Sequence, residues 1–175
     1  MIRKAAEFSA AFFTYLSLAF FDGSDRIDIV RKEDFNMIFD THMHCDYSCD
    51  SHMKIAEAVA AAQQQNIGIV ITEHWDDDYP TNPTAFMFNV EEYFERFGPY
   101  RSDKVLLGIE IGMQKQTTAA DEALAAQYPF DYVLASMHCV NGRDLYEERC
   151  YAGQTKVEAV REFLTETLIN LERHN

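Results

Sequence analysis

The chain has 175 residues, one domain's worth, and is long enough to close a hydrophobic core without disulfide staples. Apolar residues make up 47% and charged residues 25%, which excludes a disordered or fibrous chain. Acidic residues number 29 against 15 basic ones, leaving a formal charge of −14 that repels phosphate backbones and anionic lipid headgroups. No window holds more than two adjacent basic residues, so neither a nucleic acid nor a membrane is an expected partner. A phosphate can still bind such a protein where metal cations supply the positive charge.

Near the start, Arg3 and Lys4 precede an uncharged run from Phe8 to Phe21. It is too short to span a bilayer and fits the apolar core of a signal peptide. Against that, Glu7 interrupts its entry and LAFFDGSD offers no small-x-small cleavage site. Residues 1–36 therefore read as an N-terminal extension, either accessory or lying ahead of a true start at Met37. Cys45, Cys49, Cys139 and Cys150 could form two disulfides, but the chain has no other secreted character. The C-x3-C pair lacks the second pair of a zinc ribbon, and the four read as reduced thiols of a cytoplasmic protein.

From Met37 onward strands and helices alternate. A strand over Met37–Asp40 runs into the polar cluster THMHCDYSCDSH. Ser51 offers an N-cap to an alanine-rich helix over Met53–Gln65, with Ile55, Val59 and Ala62 on one face, and Asn66 and Gly68 punctuate its end. His52 falls at the start of that helix. A second strand, Ile69–Thr72, delivers EHWDDD, and a helix over Val90–Phe97 leads to a third strand, Val105–Ile111. Thr118 can cap the next helix, and a fourth strand, Phe130–Ala135, ends at SMHCVNG. Thr155 and Glu158 form a capping box before a last helix whose Val157, Val160, Phe163, Leu164, Leu168 and Leu171 make an apolar stripe.

Apolar strands each followed by a helix indicate a parallel sheet buried on both faces, either a (β/α) barrel or a doubly wound sheet. The unusual residues fall at strand C-termini: His42 and His44, then His74, Glu110 and His138. In a barrel those positions converge on one mouth. A lone strand-end histidine is ordinarily a satisfied hydrogen-bonding residue. Several coinciding, together with a glutamate inside the apolar run LLGIEIG, fit a metal site, because a cation removes the cost of burying that carboxylate. Residues i and i+2 of a strand point to the same side, so His42 and His44 can reach one ion. Asp50 can return from the loop to a neighbouring one. Imidazoles mixed with carboxylates suit zinc, iron or manganese.

DTHMHCDYSCDS, ITEHWD, GIEIG and ASMHCVNGRDLY, in this order and spacing, resemble the PHP (polymerase and histidinol phosphatase) superfamily, and most of all its histidinol-phosphate phosphatase branch. The resemblance covers Ile38 to Asn175 and implies a distorted (β/α)7 barrel with up to three divalent transition-metal ions. By position, His42, His44 and Glu110 match ligands of the first metal. Glu110 also matches the bridge to the second, which His138 completes in part, and Asp50 and His74 match ligands of the third. The family pattern continues with a G-H-x-D-type histidine and a D-x-H motif, neither of which occurs here. Six of the nine expected ligands are thus present, and 37–175 reads as the N-terminal part of a PHP domain, about the first four βα units of an incomplete barrel. On this reading the isolated chain is expected to bind metal weakly and to lack specific turnover. His174, in the last helical turn, is not expected to substitute as a ligand.

Three further groups carry two readings each. Asp40 either orients a ligand histidine or is a strand-end turn residue. Arg161 either approaches phosphate or is a solvated helix arginine. Asp76 is part of a solvated acid run with Asp77 and Asp78, or touches the metal shell beside His74. The implied chemistry is hydrolysis of a small phosphate ester by a metal-activated hydroxide, with Glu110, His42 and His44 at its centre. Cys45 and Cys139 line the pocket. The expected reaction converts L-histidinol phosphate to L-histidinol in histidine biosynthesis. The alternatives are another small phosphate ester or nucleotide, or a non-catalytic metal-binding remnant. Oligomeric state is not legible.

Overall fold

The computed structural model describes residues 37–174 and two short strands, β1 (Ala19–Phe21) and β2 (Ile27–Ile29), which pair antiparallel with each other. Apart from those strands, the expected N-terminal extension lies outside the described residues. Four parallel strands form the central sheet in the order β3 (Phe39–Met43), β4 (Gly68–Trp75), β5 (Val105–Gly112) and β6 (Tyr132–Ser136). Helices α1 (Ile55–Gln65), α2 (Val90–Phe97) and α3 (Thr118–Gln127) make the crossovers. A small hairpin of β7 (Cys139–Val140) and β8 (Arg143–Asp144) then precedes α4 (Lys156–Arg173). Each strand lies beside its predecessor, as in a barrel wall; a doubly wound sheet would reverse direction at a switch point. Among the described residues no helix is long and apolar enough to cross a membrane.

Side chains alternate across β4 and β5, and this alternation positions the site. Ile69, Ile71, Val105 and Leu107 pack with Ala58 and Ala62 of α1 and with Tyr93 and Phe97 of α2. The odd-numbered residues therefore face the helices, and the even-numbered ones face the other side of the sheet. Register pairs His74 with Glu110 and Glu73 with Ile109. Tyr93, fully buried, donates its hydroxyl to the Gly108 carbonyl at 3.0 Å and so ties α2 to β5.

Local chemistry moves several boundaries. The first strand begins later than expected and runs on through Met43, so His42 lies within it. Its pairing with β4 shifts register between Asp40 and Met43, an irregularity that re-aims the intervening side chains. Strand β4 continues to Trp75 because its charged end is buried rather than solvated. Ser51 does not cap α1. Its hydroxyl donates to the His44 carbonyl at 2.9 Å, while Lys54 takes the N-cap position and its N–H donates to Glu57 at 2.8 Å. His52 is exposed, ahead of that cap. Asn66 closes α1 in the left-handed region at φ 53°, ψ 46°. Asn89 caps α2 by accepting the Glu92 N–H at 3.0 Å. Thr117, not Thr118, precedes α3, and its hydroxyl donates to Asp121 at 2.7 Å. The Thr155–Glu158 capping box opens α4.

The last helix also presents a different face from the one its stripe suggests. Val157, Val160, Leu164, Leu168 and Leu171 are 52% to 67% exposed, while Glu166 and Asn170 are buried. Ion pairs hold the polar flank inward: Glu166 with Lys115 at 2.7 Å, and Glu162 with Arg143.

Candidate metal centre

Glu110 stands at the end of β5 on the even-numbered side, 1% exposed. Three imidazoles converge on its Oε2: His42 Nε2 at 3.0 Å, His44 Nε2 at 3.4 Å and His74 Nδ1 at 3.2 Å. On Oε1 lie His138 Nε2 at 3.1 Å and the Ser136 hydroxyl, which donates at 2.5 Å. The other nitrogen of His138 meets Asp76 Oδ1 at 2.7 Å, and His74 Nε2 lies 3.4 Å from Asp50. The rings of His44 and His74 stack with centroids 4.1 Å apart.

These side chains need space as well as strands. A Cβ at Gly112 would sit 1.8 Å from Asp76 Oδ1 and 3.0 Å from His138 Nδ1, so the second glycine of GIEIG makes room for that pair. Asp76 itself is held buried just beyond β4, where its N–H donates to the Phe86 carbonyl at 3.0 Å.

The electrostatics are unusual for a buried cluster. Burial opposes charge on Glu110, but the hydrogen bonds from His138 and Ser136 and the charges of His138 and His74 outweigh it, holding the carboxyl down to about 2. Burial likewise opposes a proton on His138, yet Asp76 and Glu110 hold its pKa up at about 10. His44 is lowered, by burial first and by the neighbouring His74 second. Burial pushes the Cys45 and Cys139 thiols up to about 12, so neither is a thiolate near neutral pH. All four cysteines are free.

The donor set fits divalent cations. His42, His44 and Glu110 bring one ligand atom each within 4.8 Å of one another, and so do His74, Glu110 and His138; Glu110 belongs to both groups. One carboxylate oxygen cannot accept in-plane hydrogen bonds from three imidazoles, and His74 Nδ1 and Asp76 Oδ2 are buried without a hydrogen-bond partner. Imidazole lone pairs gathered round a shared carboxylate suit zinc, iron or manganese.

The remaining expected residues sit as follows. Asp50 is half exposed and reaches the cluster only through His74. Asp40 accepts the main-chain N–H of His42 at 3.3 Å, so it touches the backbone of that residue and not its ring. Asp76 meets the ring of His138. Arg161 is exposed on α4 between Val160 and Leu164 and makes no ion pair among the described residues. His174 is buried against Asp121, with Nε2 3.2 Å from Oδ2, apart from the cluster. Two contacts were not foreseen. Ser136 donates to Glu110, and Glu73 on β4, fully buried on the helix side, accepts the N–H groups of Cys45 and Ser48, each at 2.9 Å. Like Glu110, Glu73 is a carboxylate inside an apolar strand, but only because β4 runs past Thr72 to Trp75.

Residues 40–173 match the PHP domain family. The chain belongs to that family. A probable histidinol-phosphatase of Clostridium acetobutylicum is 44% identical over 138 residues, covering 79% of this chain and 54% of that protein. A histidinol-phosphatase of Lactococcus lactis is 28% identical over 149 residues, covering 78% and 54%. A crystal structure of the L. lactis histidinol phosphate phosphatase, complexed with zinc, L-histidinol and phosphate, superimposes with a TM-score of 0.71 at 29% identity, covering 77% of this chain and 53% of that one. The chain thus spans about half the length of the relatives it matches. Its four parallel strands and helices correspond to part of the PHP (β/α) barrel, as the motifs implied.

Proposed function

We propose that this PHP chain carries the metal-binding face of an enzyme that hydrolyses L-histidinol phosphate to L-histidinol and phosphate, serving histidine biosynthesis in the cytoplasm. The observation that supports it most is the convergence of four imidazoles on the buried Glu110 carboxylate, in a chain 44% identical to a probable histidinol-phosphatase. His42, His44 and Glu110 would hold one cation, and His74, Glu110 and His138 a second. Asp50, 3.4 Å from His74 Nε2, would serve a third. When bound, such cations would supply positive charge to the phosphoryl oxygens and lower the pKa of a water for attack on phosphorus.

The chain's own residues have distinct tasks. Glu110 is already ionised, so binding a cation requires no proton loss from it. His138 must give up its proton, and Asp76 is positioned to take the Nδ1–H hydrogen bond that leaves Nε2 directed at Glu110. Neither Cys45 nor Cys139, the cysteines beside the ligand histidines, offers a thiolate nucleophile, since burial keeps both protonated. The charge of −14 disfavours a nucleic-acid substrate.

Phosphate release from L-histidinol phosphate, compared with a panel of nucleotides, tests the proposal. The assay uses added zinc or manganese, on the chain and on the chain continued along its reading frame beyond Asn175. The expected result is selective release from histidinol phosphate by the continued chain. Equal release from nucleotides would favour a broader phosphoesterase, and no release from any ester would leave a metal-binding remnant.

A further inference from the structure

Ser48 sits at a junction that none of the expected ligands explains. It is 3% exposed, in the loop between β3 and α1, and its hydroxyl has three neighbours. Glu73 Oε2 lies 2.5 Å away, the His74 main-chain nitrogen 3.0 Å, and His44 Nδ1 3.4 Å. A serine hydroxyl has one proton and two lone pairs. The His74 N–H can only donate, and it takes one lone pair. Glu73 also accepts the N–H groups of Cys45 and Ser48, so three donors converge on a carboxylate that makes no ion pair among the described residues. That arrangement is the one an ionised acceptor selects, and it takes the serine proton. One lone pair remains, and it faces His44.

We propose that Glu73 and Ser48 act as positioning residues that fix His44 as the Nδ1–H tautomer. With the serine proton committed to Glu73, His44 Nδ1 can hydrogen-bond Ser48 only by donating. Its Nε2 then carries the lone pair, and Nε2 is the atom 3.4 Å from Glu110. A carboxylate on the helix side of β4 thereby sets the ligand atom on the opposite side, through one hydroxyl. The same hydroxyl accepts the N–H of His74, so one group aligns two strands of the cluster. The role is distinct from that of Asp76, which serves His138 directly. It rests on the reading of the cluster as a metal centre only for its consequence, tighter metal binding; the tautomer itself is a property of the metal-free protein.

Two measurements decide it. Long-range 1H–15N correlation spectra of the metal-free chain, with His44 assigned by comparison with His44→Gln, should show the Nδ1–H form in the wild type. The form should shift toward Nε2–H in Ser48→Ala and be restored in Ser48→Thr. Zinc titration should give binding about tenfold weaker in Ser48→Ala, recovered in Ser48→Thr, the usual scale for removing an outer partner of a ligating histidine. A wild-type His44 in the Nε2–H form overturns the proposal even if Ser48→Ala fails to fold. So does a folded Ser48→Ala with unchanged tautomer and unchanged zinc affinity. A wild type that shows the Nδ1–H form but binds no zinc would instead overturn the metal centre and leave the positioning intact.

Discussion

Glu73 and Glu110 are buried carboxylates on neighbouring strands, one register step apart and on opposite sides of the sheet. Glu73 faces the helices, and its oxygens are met by two main-chain N–H groups and a hydroxyl. Burial pushes its pKa up, and those hydrogen bonds only partly offset the push. Glu110 faces four imidazoles, and its pKa is held down to about 2. The first carboxylate is satisfied by donated hydrogen bonds, two from main-chain N–H groups and one from a hydroxyl. The second is surrounded by rings that can donate either a proton or a lone pair, and that freedom is what a metal centre requires. Burial of a charge is therefore not the mark of the site; the kind of partner is.

The largest expected effect comes from removing the Glu110 charge. Glu110→Gln keeps the volume but offers one acceptor oxygen in place of two, and both proposed cations lose their shared ligand. Zinc binding, read by titration calorimetry, should fall at least tenfold at both sites while the far-ultraviolet spectrum is retained. Glu73→Gln should show the reverse weighting. Its amide would turn an N–H toward groups that already donate, costing about 1–3 kcal/mol of stability, a drop of several degrees in melting temperature. Zinc binding should weaken less than in Glu110→Gln. Equal zinc affinities in the two variants would erase the contrast between the carboxylates.

The contrast also bears on what could be read from sequence. The spacing of His42, His44, His74, Glu110 and His138 places them at strand ends, and the local sequence pattern gives a helix over Val90–Phe97. Both are legible because they depend on local pattern. Glu73 is not legible in the same way, since a glutamate beside a ligating histidine looks like part of the same polar loop until β4 is seen to run to Trp75. Ser51 looked like a cap but is used by the His44 carbonyl. The apolar stripe of α4 was visible, but which face turns inward depends on ion pairs with Lys115 and Arg143 far along the chain. Long-range pairing of that kind leaves no periodic trace.

A smaller effect should follow from Gly112→Ala. Its Cβ would meet Asp76 Oδ1 at 1.8 Å, so Asp76 must withdraw from His138. The His138 pKa, followed by NMR in the metal-free protein, should fall from about 10 toward its ordinary 6.5, with the core on the helix side undisturbed. An unchanged value would mean that Glu110 alone holds the proton.

The gentlest perturbation is pH. In the metal-free protein the raised His138 pKa contributes stability that is fully present below 6.5 and is lost as pH rises through about 10. The depressed Glu110 pKa contributes stability present above 4.5 and lost as pH falls toward 2. Melting temperature should therefore decline on the alkaline side, and the decline should flatten in His138→Gln. Zinc affinity should move the opposite way at the His74, Glu110 and His138 site and strengthen between pH 6 and 8, about one proton leaving His138 as that cation binds.

The central claim, that Glu110 is shared by two cations, is tested most directly by anomalous diffraction at the zinc edge from crystals grown with zinc. Two peaks are expected, each about 2.0–2.2 Å from its ligand atoms: one among His42, His44 and Glu110, the other among His74, Glu110 and His138. Zinc peaks only at other residues, or none within bonding distance of Glu110, would contradict it.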